Sequence, residues 1–109
     1  MKLIIAIIQD EDAPRLVSAL MNEGYGVTKL ATTGGFLRAG NTTLLVGVND
    51  ERMKGCLAII EKLCKSRKQV SASPMTAGGM AGMYAQMPIE VTVGGATVFI
   101  LDVEQFHKY

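Results

Sequence analysis

The order of elements read from the sequence predicts one α+β domain, β-α-β-β-α-β, with an extra hairpin strand at its carboxy end. Three observations carry this. Leu3 to Ile8 is apolar at every position, as a strand buried on both faces is. Two stretches with helical spacing follow, one before and one after a threonine-rich β pair. The chain then closes on an alternating run, Ile89 to Val93, and a second strand beyond Gly94-Gly95.

The elements can be justified in turn. After the first strand, Asp10 or Asp12 is placed to cap a helix, with Pro14 in its first turn. Leu16, Val17, Leu20 and Met21 recur at helical spacing, and Gly24 suits the helix end. Val27 to Thr33 and Thr42 to Val48 are rich in threonine and apolar residues, as strands are. Asn49 or Asp50 opens a second helix with Met53, Leu57, Ile60 and Cys64 on its inner face. Lys62, Lys65, Arg67 and Lys68 crowd its end, where positive charge suits the helix dipole. They read as capping and solvation; a phosphate-facing cluster is the alternative.

From Ser66 to Pro88 no periodicity survives. This stretch carries three glycines and four methionines, Met75, Met80, Met83 and Met87. It reads as a long flexible loop over 66–88, either an adaptable contact surface or a cover for an apolar face. Ile89, Val91 and Val93 alternate with Glu90 and Thr92, and Gly94-Gly95 reads as a two-residue turn to a partner strand, Ala96 to Leu101. Asp102 to Tyr109 is either a last helical turn or a docking tail. The whole pattern is the ferredoxin-like split βαβ arrangement. Two helices cover one face of such a sheet, yet the first strand is apolar on both. A second copy of the chain is the simplest cover for the other face, so oligomerisation is expected.

Bulk properties narrow the function. A chain of 109 residues holds one domain, here 1–109. The formal charge of +1 argues against a broad electrostatic grip on nucleic acid or an anionic membrane. The amino-terminal apolar run is too short for a secretory signal, and no run approaches a membrane span, so the cytoplasm is expected. The two cysteines, Cys56 and Cys64, have no metal-ligand spacing with His or acidic residues and read as buried thiols. The single histidine, His107, lies near the end of the chain. No catalytic constellation stands out, so binding is expected rather than chemistry.

The richest stretch is the loop over 34–41, Gly34-Gly35-Phe36-Leu37-Arg38-Ala39-Gly40-Asn41. Its glycines let backbone N–H groups approach a ligand and form an anion nest. Phe36 and Leu37 add apolar surface, Arg38 a charge, and Asn41 an amide that donates and accepts. Phosphate, flat apolar surface and hydrogen-bonding edge together describe a nucleotide. The plainer reading is a hairpin whose Phe36 and Leu37 pack into a neighbouring subunit. There is no P-loop pattern.

Three segments, Met1-Lys-x-Ile-Ile-Ala-Ile-x-Gln-Asp10, Thr28 to Thr43 and Val93 to Phe99, closely resemble the PstA/DarA family. These are PII-like signal-transduction proteins that bind cyclic di-AMP. The resemblance implies a homotrimer with one ligand in each cleft between neighbours, no enzymatic activity, no cofactor besides the ligand, and a downstream protein that it does not name. It implies ligand contacts at Thr28, Gly35, Phe36, Leu37, Asn41 and Gly47. Thr28 would donate its hydroxyl to a phosphate, as would backbone N–H groups around Phe36 and Leu37. Asn41 would read an adenine edge, and Gly47 would let the base lie against the strand. Gly26 stands where relatives often carry arginine, and Lys108 where some carry glutamine; Lys29, Arg38 or Lys108 are the candidate replacements for the lost contacts. A PII-like sensor of another nucleotide such as ATP is one alternative, though the loop before Thr43 is short and lacks a tyrosine. A purely structural trimer is the other.

Overall fold

In a computed structural model of the protein, residues 1–30, 40–72 and 88–109 are described. Strand β1 (Lys2–Gln9) lies inside a four-stranded antiparallel sheet of order β2-β3-β1-β6, with β2 at Val27–Lys29, β3 at Asn41–Val48 and β6 at Ala96–Asp102. Successive side chains on a strand point to opposite faces. Ile4, Ala6 and Ile8 of β1 are buried beside Leu44, Val46 and Val48 of β3. Helices α1 (Ala13–Asn22) and α2 (Asp50–Cys64) cover that face with Leu16, Leu20, Cys56, Ile60 and Cys64, all buried. Two helices on an antiparallel sheet fit the ferredoxin-like pattern.

Helix α1 ends where Gly24, at φ +84°, turns the chain. Its amide donates to the Met21 carbonyl at 3.0 Å, and that of Tyr25 to the Leu20 carbonyl at 2.9 Å. Met21 is exposed rather than part of the inner stripe. Asp12 occupies the cap position without bonding the helix amides. Its buried carboxylate instead accepts from the Arg67 guanidinium at 3.0 Å. The cap expected of Asp10 or Asp12 is therefore replaced by tertiary bonds.

The carboxy-terminal half corrects three expectations. Arg67–Ala72 is a strand, β4, where the irregular stretch was expected to begin. It pairs with β5 (Pro88–Val93) in a separate two-stranded ribbon, from Arg67 opposite Val93 to Ala72 opposite Pro88. β5 thus pairs backwards with β4 and not forwards with β6. The reason lies in the glycine turn: Gly94 and Gly95 take φ +80° and +100°, but their amides are drawn elsewhere. Gly94 N–H donates to the Gln9 side-chain oxygen at 2.8 Å, and Gly95 N–H to the Cys64 carbonyl at 2.5 Å. The chain is steered to the edge of β1, where β6 runs antiparallel from Lys2 opposite Asp102 to Ile8 opposite Ala96. The carboxy-terminal strand is the closing strand of the main sheet, and the additional pair is inserted before it. Arg67 and Lys68 belong to β4 and pair with Asp12 and Glu90, and Arg67 also donates to the carbonyl of Lys65 at the end of α2 at 3.1 Å. The tail after Asp102 is not helical.

A cleft at the loop end of the sheet

Among the described residues, the second face of the sheet carries no helix. Register places Leu45, Ile5 and Phe99 in one row across it, and Gly47, Leu3 and Leu101 in the next. Phe99 is 52% and Leu101 48% exposed. Thr28 is opposite Leu45 and shares this face. Asn41 belongs to it too, because it alternates with Thr42 in β3 and is opposite Gln9.

At one end of the face, Gln9, Asp10, Glu11, Gly40 and Asn41 line a cleft of about 410 Å³. Its position follows from bonds that pin both flanks of the loop. On the entry side, Leu30 N–H donates to the Thr43 carbonyl at 3.0 Å. On the exit side, Asp10 N–H donates to the Gly40 carbonyl at 2.8 Å, and the Thr42 hydroxyl donates to an Asp10 carboxylate oxygen at 2.5 Å. Gly40 takes φ +101°, a conformation costly for a side-chain-bearing residue. The rim combines two side-chain amides with two carboxylates, an acceptor-rich edge that suits an amino group better than a phosphate.

The expected contact residues divide into three groups. Asn41 lies in the cleft. Thr28 and Gly47 share its face but stand farther along the sheet, with Gly47 six positions from Asn41, about 20 Å at the usual strand rise. A side chain at Gly47 would meet open space. Gly35, Phe36 and Leu37, like Arg38, lie outside the described residues. Among the candidate replacement cations, Lys29 alternates with Thr28 and belongs to the opposite face of β2, while Lys108 is exposed in the tail. Gln9, Asp10 and Glu11 were not expected here, since locally they read as a strand end and helix caps. Only the long-range pairing of β1 with β3 brings them to the loop.

Nucleophilic chemistry has little footing in the thiols. Burial pushes the Cys56 thiol up to about 11 and raises that of Cys64 as well, with Asp12 adding to the second. Among the described residues no group of three His, Cys, Asp or Glu is arranged to hold a metal. No described helix is long and apolar enough to cross a membrane.

Comparison with known proteins adds two findings. A crystal structure of a functionally unknown protein from Pediococcus pentosaceus is similar at 42% identity and a TM-score of 0.79, over 99% of this chain and 96% of that one. The family model described as cyclic-di-AMP receptor matches residues 1–109, the whole of the sequence. The chain belongs to the cyclic-di-AMP receptor family.

Proposed function

We propose that this protein is a PII-like signalling receptor that binds cyclic di-AMP between the subunits of a homotrimer. The observation that carries the reading is the join between a polar cleft at Asn41 and an apolar sheet face that none of the described residues covers. A dinucleotide offers both kinds of surface. Asn41 and Gly47 are too far apart on one strand to grip one base together, so in this reading Gly47 of one subunit serves the site that Asn41 of another completes. Burying Phe99, Leu101, Leu3 and Ile5 supplies the drive for assembly, at roughly 25 cal/mol per Å² of apolar surface.

Within that site, Asn41 reads an adenine edge. Thr28 and the backbone amides around Gly35, Phe36 and Leu37 take the phosphates. The role is binding, not catalysis, and the protein acts in the cytoplasm. The signal leaves through the methionine-rich segment within 66–88, which becomes ordered when ligand binds and presents a new surface to a downstream protein. A ligand shifts such a segment only by its differential affinity for two states. Hydrogen exchange with and without cyclic di-AMP tests this: greater protection with ligand is expected, and equal protection removes the segment from the relay.

Calorimetry against cyclic di-AMP, cyclic di-GMP and ATP tests the function itself. Saturable binding of cyclic di-AMP at one per chain, with weak or no binding of the others, is expected. Preference for ATP would reassign the ligand, and silence toward all three would leave only a structural trimer.

A further inference from the structure

We propose that Asp10 is a positioning residue for the ligand site: it clamps the backbone on both sides of Asn41 and so fixes where the Asn41 amide stands. The inference rests on the reading of Asn41 as a ligand contact. Asp10 bonds residues immediately before and after Asn41. Its amide takes the Gly40 carbonyl at 2.8 Å, and its carboxylate takes the Thr42 hydroxyl at 2.5 Å.

The need for a clamp comes from Gly40. A residue without Cβ at φ +101° leaves the chain free to swivel just before Asn41. Alternation then gives the clamp its effect. Thr42 is 5% exposed and belongs to the helix-covered face with Leu44 and Val46. Holding its hydroxyl fixes the rotation of the strand end, and this turns Asn41 to the open face. A one-residue slip would reverse both. Asp10 itself is exposed, so its carboxylate can regain water when the Thr42 hydroxyl is removed. Loss of the clamp therefore costs little folding stability, while the amide loses its fixed place.

The test is calorimetry with cyclic di-AMP on the full chain. Thr42→Val removes the hydroxyl and keeps the shape and strand preference, and Asp10→Ala removes the acceptor. Both are expected to weaken binding about tenfold, the scale of one hydrogen bond to a charged group. Thr42→Ser restores the hydroxyl and is expected to restore affinity. In an Asn41→Ala background, Asp10→Ala is expected to cost nothing further, because the two changes remove one interaction. Circular dichroism checks that each variant folds, and Thr42→Val and Thr42→Ser carry the test should Asp10→Ala not. Wild-type affinity in Thr42→Val overturns the clamp; if Asp10→Ala is weak at the same time, Asp10 touches the ligand directly. Additive losses with Asn41→Ala also overturn it. A wild-type protein that binds no cyclic di-AMP overturns the underlying reading and the clamp with it.

Discussion

The two faces of the main sheet are built from the same strands, yet they are finished differently. On one face Ile4, Ala6, Ile8, Leu44 and Val46 are fully covered by α1 and α2. On the other, Leu3, Ile5 and Leu45 are only half-covered, and Phe99 and Leu101 stand in the open. The covered face is enough to make a core, while the open face is apolar beyond what folding requires. Apolar residues in a row on an uncovered sheet mark a surface made for something else. The open face also ends at the cleft that holds Asn41, so in the proposed function assembly and binding share one surface.

This contrast can be broken from either side. The largest effect is expected on the covered face. Leu44→Ala leaves a cavity where the side chain is fully buried, and should lower the unfolding free energy by about 2–5 kcal/mol in urea denaturation. A loss below that range would mean the two faces are less different than they look. Phe99→Glu on the open face should spare the fold, as read by circular dichroism, and dissociate the assembly, as read by sedimentation. An unfolded variant would show that Phe99 belongs to the core after all.

Asn41→Ala should leave both faces intact and weaken cyclic di-AMP binding by ~1–3 kcal/mol, roughly tenfold to a hundredfold. Unchanged affinity would remove Asn41 from the site. The smallest effect concerns the thiols under the covered face. With Cys56 raised from 9.0 to about 11 in the folded chain, its neutral form is favoured by folding. The associated stability is fully present below pH 9 and is lost as pH rises toward 11. Thiol reagents at pH 8 should therefore label Cys56 and Cys64 only when denaturant is added; rapid labelling of the folded protein would mean the covered face opens readily.

Much of the fold was legible because burial leaves a period in the sequence. Leu3 to Ile8, Thr42 to Val48 and both helices carried their apolar patterns openly. β4 was not legible because Arg67, Lys68, Gln69 and Val70 are all exposed, and a ribbon solvated on both sides has no alternation to read. The pairing of β5 was missed for a different reason. Gly94-Gly95 satisfies the local rule for a hairpin, and only bonds to Gln9 and Cys64, far away in sequence, send the chain elsewhere. The same limit hid Asp10 and Glu11 at the cleft, whose rim depends on the register of β1 against β3. Asn41 was singled out by residue chemistry and family resemblance, and the fold places it on that cleft. Thr28 and Gly47 share its face at a distance that no local pattern could supply.

The most direct test of a site shared between copies is a titration of cyclic di-AMP into folded Phe99→Glu beside the wild type. The variant leaves Asn41 and its cleft untouched and removes only the neighbour. The account predicts saturation at one ligand per chain in the wild type and a loss of binding of at least tenfold in the dissociated variant. Equal affinity in the two would place the whole site within one chain and contradict the account.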